Sequence, residues 1–344
     1  MIKIKNIYYM LSYAFTVLNR KGYRKLETED FENSADLYAA ILIKGLSSQL
    51  RRGLHHEYSE QKEALAMVRG KIDVTDSIKN LDVINKRLRC SFDDFSANTY
   101  KNQIIKTTLR LLLKADISKE RKKKLKKILL FFNQVDILDR RTINWNLRFT
   151  RNNQLYKMLI SVCYLINEGL IQSKSDGSKQ FMDFIDEQRM SRLYEKFVLE
   201  YYKKEFPQLS VTASYIPWVV DDGVTSMLPT MKSDIMLSNN DDYLIIDAKY
   251  YAKTLQSYYD VKKIHSGNLY QIFTYVKNQD IRLKKYSAKV SGMLLYAKTD
   301  ENLVPDNTFQ MSGNQISVTT LNLNCDFAEI SKQLNQIVFD YFEI

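Results

Sequence analysis

The chain has 344 residues, of which 45% are hydrophobic and 26% charged, and its net charge is +11. This balance is typical of a folded globular protein and excludes a disordered or low-complexity chain. Because Lys3 and Lys5 interrupt the opening and no apolar run approaches the roughly 20 residues that cross a bilayer, we expect a cytoplasmic protein without a membrane partner.

The positive charge is unevenly distributed along the chain. Residues 1–150 carry 30 Lys and Arg against 17 Asp and Glu, a net charge of +13, whereas residues 151–344 carry 21 against 23, a net charge of −2. A basic half joined to a nearly neutral half indicates that the first half meets a polyanion or an acidic partner. The cysteines, Cys90, Cys163 and Cys325, lack metal-site spacing and are interpreted as reduced thiols.

A chain of this length is long enough for two domains, and residues 1–150 are predicted to form a mostly helical first domain. Apolar residues recur at helical spacing after Asn6 and in three later segments, 39–46, 102–113 and 119–132. Residues 54–74 differ, because short alternating stretches predict two strands and a turn. We interpret them as a β-hairpin or another small β-element inserted among the helices.

The second domain, residues 151–344, is predicted to contain a central mixed sheet flanked by helices. Helices are expected at 153–167, 187–206, 268–278 and 327–342, with strands at 209–220, 233–237, 243–250, 290–297 and 316–323. The polar stretch 173–178 is the clearest loop. Helix, three strands, helix and strand within one unit is typical of an α/β (α+β) fold.

The segment 243–249 is an apolar run that ends in an acid and a lysine, Asp247 and Lys249. Side chains alternate along a strand, so these two point to the same face of the sheet. Asp234 precedes the short apolar segment 235–237, and it converges with Asp247 if the two strands form a hairpin. A structural salt bridge at a sheet edge is the alternative that the residues alone leave open.

Hydrolysis of a phosphodiester requires a hard divalent cation, and Mg²⁺ prefers one or two carboxylates with water and phosphate oxygens. The candidate metal ligands are Asp234 and Asp247, with the Ala248 carbonyl as a further one. Lys249 is the candidate to position the attacking water and to stabilise the developing negative charge. Glu195, on the helix before the sheet, is a further candidate at the metal, with a solvated helix residue as the alternative.

Gln271 and Tyr275 share one face of the predicted helix that follows the lysine strand, because they are four residues apart. They either support the catalytic site or pack against the sheet. An acid, an acid-x-lysine strand end and a following Gln-x-x-x-Tyr helix together resemble the PD-(D/E)xK nuclease superfamily. The resemblance departs from the superfamily's name at Ser233, which stands where a proline would precede Asp234.

A closer resemblance, to the McrC family, extends over nearly the whole chain. Four motifs carry it: Asn-Ile-Tyr-Tyr-Met-Leu-Ser-Tyr-Ala from Asn6, Arg-Arg-Gly-Leu from Arg51, Asp-Ala-Lys-Tyr-Tyr from Asp247 and His-Ser-Gly-Asn-Leu-Tyr-Gln from His265. McrC is the cleavage subunit of the modification-dependent McrBC restriction system. The resemblance implies that Asp234, Asp247 and Lys249 are catalytic.

The resemblance also implies partners. We expect an McrB-like AAA+ GTPase ring, which binds GTP itself and recognises double-stranded DNA carrying modified cytosine. The first domain is expected to dock into this ring and to stimulate its GTPase. The turns Arg51-Arg52-Gly53 and Arg69-Gly70-Lys71 are candidates for the ring contact, or else surface charges, and the basic run 119–127 is either a solvated helix face or a DNA contact.

The sequence is also compatible with two other functions. One is an adaptor that activates an NTPase ring without cleaving DNA. The other is a free-standing DNA repair nuclease, whose basic first half grips DNA directly.

Overall fold

The computed structural model describes residues 2–15, 18, 26, 29, 31, 33–150, 153–175, 187–250, 256–258, 261–284, 288–298 and 305–342. Contacts within the chain divide it into two units. The sheet unit comprises Met1–Ser34 and Gln172–Ile344, and the helical unit comprises Ala35–Ile171. This division differs from the predicted boundary at residue 150, because the first helix belongs to the sheet unit and the helical unit extends further.

The first helix, α1 (Ile4–Ala14), contacts the sheet unit through polar and aromatic side chains. Asn6 is buried, and its Nδ2 donates a hydrogen bond to the carbonyl oxygen of Leu323 at 2.8 Å. Tyr9 stacks on Phe327 with ring centroids 4.3 Å apart. Apolar periodicity predicts that this segment is helical, but it does not show which surface the helix covers.

The helical unit contains α2 (Ser34–Leu50), α3 (Val74–Lys79), α4 (Tyr100–Leu112), α5 (Lys119–Leu129) and most of α6 (Gln154–Ser175). Helix α4 begins after Thr99, whose side chain accepts a hydrogen bond from the backbone N–H of Asn102, and α5 begins after Ser118, which does the same for Arg121. The predicted loop 173–178 is wrong over its first three residues, which continue α6; the rest lies outside the described residues.

Three strands complete the helical unit: β1 (Glu57–Leu65), β2 (Lys71–Ile72) and β3 (Leu88–Ser96). The prediction of a hairpin within 54–74 is wrong in its pairing, because β1 and β2 both pair antiparallel with β3, which lies between them. Gly70 (φ +72°) permits this arrangement, since a Cβ there would lie 2.7 Å from Phe92 Cβ.

The strands of the sheet unit are, in chain order, β4 (Ser210–Thr212), β5 (Tyr215–Ile216), β6 (Met231–Lys232), β7 (Ile235–Asn239), β8 (Asp242–Lys249), β9 (Gln256–Tyr258), β10 (Val261–Lys263), β11 (Lys289–Ala297), β12 (Asn307–Met311) and β13 (Asn314–Leu321). Its later helices are α7 (Glu187–Glu205), α8 (Ser266–Leu283) and α9 (Phe327–Tyr341). Six strands form one sheet in the order β12-β13-β11-β8-β7-β4. The pairs β8–β11 and β11–β13 are parallel and the others antiparallel, which confirms the predicted mixed sheet.

The chain that was predicted as one strand over 209–220 forms two short strands. They separate because β4 pairs with β7 while β5 pairs with β6. None of the helices that the structure describes is long and apolar enough to span a membrane.

The position of α8 on the sheet depends on a single glycine. Ile272, Tyr275 and Val276 of α8 share a buried cluster with Leu294 of β11. A Cβ on Gly292, in the same strand, would lie 2.6 Å from Val276 Cγ2. Glycine therefore allows the helix to approach the sheet more closely than any other residue would.

Candidate active site

The two predicted metal-binding aspartates lie at the same end of a β-hairpin. Strands β7 and β8 pair antiparallel with Ile235 opposite Ile246, so that Asp234 and Asp247, one residue beyond this pair, face each other. The backbone N–H of Ala248 donates a hydrogen bond to Asp234 Oδ2 at 3.0 Å. The hairpin therefore brings together two carboxylates that are thirteen positions apart in the sequence.

Asp247 is almost completely buried, with 1% of its surface exposed. Lys249 Nζ lies 3.0 Å from Asp247 Oδ1, to which it donates a hydrogen bond, and 2.9 Å from Oδ2. Oδ2 accepts no hydrogen bond of regular geometry from any residue that the structure describes, although the Lys249 ammonium lies within ion-pair distance of it. A buried carboxylate oxygen in this situation can accept a further ligand, such as a bound cation.

Lys249 also donates a hydrogen bond to Gln271 of α8, and Gln271 is in turn bonded to Tyr275 of the same helix. Lys249 Nζ lies 3.3 Å from Gln271 Oε1, which accepts a hydrogen bond from it, and Gln271 Nε2 donates to the hydroxyl of Tyr275 at 2.9 Å. A free lysine side chain has many rotamers, so an ordered acceptor fixes the position of its charge. Gln271 and Tyr275 thus extend from the lysine as a hydrogen-bonded row.

The carboxyl of Asp234 has a strongly perturbed affinity for protons. Burial raises the pKa of Asp234 to about 8, the negative charges of Asp247 and Glu195 add to the rise, and the Lys249 ammonium opposes it. Two carboxylates side by side repel each other when both are ionised. A divalent cation between them would remove this repulsion.

Glu195 lies on α7, where its Oε1 accepts a hydrogen bond from Ser191 Oγ at 2.8 Å. Within the described part of the chain, no three acidic, histidine or cysteine side chains are grouped as a metal site. The negative charge of Glu195 raises the pKa of Asp234, which shows that the two carboxyls interact electrostatically but does not show that Glu195 coordinates a metal ion. The role of Glu195 at a metal stays a prediction, as does that of the Ala248 carbonyl.

The two aspartates by themselves fit Mg²⁺, which takes one or two carboxylates and fills its remaining positions with water and phosphate oxygens. Oδ2 of Asp247, which accepts no hydrogen bond of regular geometry from a described residue, supports this fit. So does the pKa of Asp234, which burial raises and the charges of Asp247 and Glu195 raise further, because a divalent cation would favour the ionised form of such a carboxyl.

A hydrogen bond that the sequence does not indicate fixes the beginning of α8. Asn268 Nδ2 donates a hydrogen bond to the hydroxyl of Tyr296 at 2.9 Å, and both residues are buried. Tyr296 lies directly opposite Lys249 in the pairing of β11 with β8. Asn268 stands in the motif that begins at His265, but the sequence gives no signal for its partner on a strand.

Comparisons with known proteins agree with one another. The family model of McrBC 5-methylcytosine restriction system components matches residues 3–297. The type IV methyl-directed restriction enzyme EcoKMcrBC of Escherichia coli (strain K12) is 29% identical over 349 residues, covering 99% of each chain.

Among solved structures, the half-complex from the tetradecameric assembly of Thermococcus gammatolerans McrB AAA+ hexamers with bound McrC has a TM-score of 0.50 and 16% identity. The alignment covers 98% of this chain and 76% of that one. At this identity the likeness concerns the fold, and it supports the mixed α/β architecture over nearly the full length.

Proposed function

The chain belongs to the family of McrBC 5-methylcytosine restriction system components, and from this premise we propose that it is the subunit that cleaves DNA. The reaction is Mg²⁺-dependent hydrolysis of phosphodiester bonds by an endonuclease. The observation that carries the proposal is the facing pair of buried carboxyls, Asp234 and Asp247, with the Lys249 ammonium in ion-pair contact with Asp247.

In this proposal Asp234 and Asp247 hold the metal ion. Bound Mg²⁺ supplies a Lewis acid that polarises the phosphate and acidifies a bound water. The Lys249 ammonium places a fixed positive charge beside Asp247 and stabilises the negative charge that develops on the attacked phosphate. Gln271 orients Lys249 through Oε1, and Tyr275 orients Gln271 through its hydroxyl.

A purely structural salt bridge accounts for these residues less well. One buried carboxylate and one lysine neutralise each other, but here a second carboxyl, Asp234, adds a further ionisable acid to the same place. Burying an uncompensated carboxyl is costly for stability. A function that uses the second carboxyl, such as binding a divalent cation, explains why it is there.

The proposal includes a McrB-like AAA+ GTPase ring as partner, with GTP bound by the ring, and modified-cytosine DNA as substrate. The solved Thermococcus assembly holds McrC bound to McrB hexamers. The helical unit exposes large apolar side chains on and near its small sheet, among them Tyr58, Met67, Ile84 and Phe95. Exposed apolar surface of this kind is typical of a protein interface.

The two arginine turns that were candidates for the ring contact differ in the structure. Arg69 lies over the ring of Phe92 at 4.2 Å and pairs with Asp94 at 3.3 Å, so its charge helps to hold its own sheet. Arg51 and Arg52 are exposed. We therefore propose the Arg51–Arg52 turn as the stronger candidate for contacting the ring.

The test mixes the chain with a McrB-like ring, GTP, Mg²⁺ and DNA carrying 5-methylcytosine, and measures double-strand breaks. Asp247→Asn is compared with Asp242→Asn, which changes the same residue type at the other end of β8. We expect Asp247→Asn to abolish cleavage and Asp242→Asn to retain it. Cleavage that survives Asp247→Asn would overturn the assignment of the site.

The two alternatives give different results in the same experiment. GTP hydrolysis that rises while the DNA stays intact would identify an activator of the ring. Cleavage of unmodified DNA by the chain without ring or nucleotide would identify a free-standing nuclease.

A further inference from the structure

Helix α5 carries a high density of positive charge, and the proposed catalytic site in the sheet unit does not account for it. Its eleven residues, Lys-Glu-Arg-Lys-Lys-Lys-Leu-Lys-Lys-Ile-Leu, include seven basic residues and one acidic residue. Leu125 and Ile128 are buried and attach the helix to its unit. The remaining positions form a basic surface on the outside of the helix.

Two of the seven cations are neutralised within the helical unit. Arg121 pairs with the buried carboxylate of Asp36, and Lys124 pairs with Glu120 at 2.6 Å. The other five form no ion pair with any residue that the structure describes. These five are the lysine face: Lys119, Lys122, Lys123, Lys126 and Lys127.

The lysine face does not stabilise the helix that carries it. Three pairs of its members are four residues apart, and like charges at this spacing on a helix repel each other. The pairs are Lys119 with Lys123, Lys122 with Lys126, and Lys123 with Lys127. The helix is held instead by the Ser118 cap, the Arg121–Asp36 pair and its buried apolar residues.

We propose that the lysine face binds the phosphate backbone of duplex DNA. The inference deepens the proposed function, because it takes the DNA substrate from there and adds a second place where DNA is held. Eleven helical residues span about 16 Å. One strand of B-DNA carries about five phosphates over the same length, which matches the five unpaired lysines of the face.

The chemistry of the face indicates backbone contact and not the reading of bases. Lysine ammonium groups act as point charges, which suit phosphate oxygens, and the face contains no Arg, Asn or Gln that could read a base edge with a planar pair of hydrogen bonds. An anionic membrane is a poorer match. A helix that lies in a bilayer needs a free apolar face, and Leu125 and Ile128 of α5 are buried in the protein.

The test measures binding of the full-length chain to a fluorescent 30-base-pair unmodified duplex in EDTA, over a series of potassium chloride concentrations. The face variant carries Lys123→Gln, Lys126→Gln and Lys127→Gln. The matched control carries Lys62→Gln, Lys71→Gln and Lys79→Gln, which removes three exposed lysines from the β1–β3 region of the same unit. Both variants therefore lose the same net charge.

We expect the face variant to bind DNA about tenfold or more weakly at low salt. The slope of log K against log [salt] should become shallower by about 1 for each lysine that contacts a phosphate. The control should retain the slope of the wild type. The thermal midpoint of the face variant should equal or exceed that of the wild type, because repulsion along α5 is removed.

Three results would overturn the inference. One is an equal loss in both variants, which would mean that only total charge matters. Another is an unchanged slope in the face variant. The third is a face variant that binds DNA normally but no longer binds phosphatidylserine vesicles or the ring partner.

The inference and the proposed function fail separately. Binding is measured in EDTA, so it requires no cleavage. A chain that binds DNA through the lysine face but never cuts it with the ring would leave the inference standing and remove the nuclease proposal. A chain that cuts DNA and whose face variant keeps the wild-type salt slope would remove the inference alone.

Discussion

Each unit contains a buried carboxylate paired with a partly buried cation, Asp36 with Arg121 in the helical unit and Asp247 with Lys249 in the sheet unit. The exposed side-chain fractions are nearly the same, 5% and 17% for the first pair and 2% and 17% for the second. Their hydrogen bonds differ. Asp36 accepts from the Ser118 N–H on one oxygen and from Arg121 on the other, whereas Asp247 Oδ2 accepts none.

The second difference is the neighbouring acid. Asp247 faces Asp234, whose pKa is raised to about 8 by burial and by nearby negative charge. Burial and ion pairing by themselves therefore do not distinguish a structural pair from a functional one. The additional carboxyl beside Asp247 is the feature on which we base the proposal that this pair is functional.

The largest effect expected from this comparison is on cleavage. Asp234→Asn and Asp247→Asn should each lower the rate of DNA cleavage by the complex at least about 10³-fold, or about 4 kcal/mol. At saturating DNA, Asp36→Asn should leave the rate per folded molecule unchanged, because Asp36 contacts no reacting group and acts only on how α5 is held. Single-turnover assays measure the rates. A comparable loss in Asp36→Asn would erase the distinction between the two pairs.

The next effect is on stability, where Asp36→Asn should be more harmful than Asp247→Asn. Asp36→Asn should lower the free energy of unfolding by about 3 kcal/mol, because it removes the buried carboxylate that pairs with the guanidinium of Arg121. Asp247→Asn in EDTA should lower it by less than about 1 kcal/mol, since Asp234 remains near the Lys249 ammonium and its ionisation is no longer opposed by Asp247. Urea titrations followed by circular dichroism measure both. Equal losses would assign Asp247 to the fold.

Stabilisation of the folded chain by Mg²⁺ should also distinguish the Asp247–Lys249 pair from the Asp36–Arg121 pair, by a smaller free energy. At ten times its dissociation constant, the ion should stabilise the wild-type chain by about 1.4 kcal/mol. Asp36→Asn should retain this gain in thermal midpoint and Asp247→Asn should lose it. Calcium in place of magnesium provides a second probe of the same carboxylates. A gain that persists in Asp247→Asn would place the cation elsewhere.

The smallest effects concern the hydrogen bonds behind Lys249. Gln271→Ala should lower the cleavage rate about tenfold, because the ammonium loses the acceptor that orients it. Tyr275→Phe should lower it only a few-fold, since it removes one hydroxyl that acts through Gln271. Gln271→Glu is the informative control, because it keeps an acceptor for Lys249. A larger effect in Tyr275→Phe than in Gln271→Ala would contradict this order.

Local pattern determined the elements that carry the chemistry. Alternation along 243–249 predicted that Asp247 and Lys249 share a face, and their ion pair agrees with this. Spacing predicted that Gln271 and Tyr275 share a helix face, and they are hydrogen bonded. Both inferences rest on the geometry of a single strand or helix, which holds wherever that element lies in the fold.

The sequence did not predict which distant segments pair with each other. The strands within 54–74 were expected to pair with each other, but β3 separates them, because any of several strands can satisfy the same backbone donors and acceptors. The first helix was assigned to the first domain, but it belongs to the sheet unit, where Asn6 donates a hydrogen bond to the carbonyl oxygen of Leu323. The hydrogen bond between Asn268 and Tyr296 was not predicted either, because it joins a helix to a distant strand.

The sequence by itself indicated the family, through motifs that resemble it, and the mixed α/β class and the candidate site residues, through periodicity and local spacing. The tertiary structure decided that Asp234 faces Asp247, that Lys249 pairs with Asp247 beside this second carboxyl, and that Asp36 accepts hydrogen bonds on both oxygens. The physical reason is that the electrostatics of a buried group depend on every neighbour that folding brings to it, and most of those neighbours are distant in sequence.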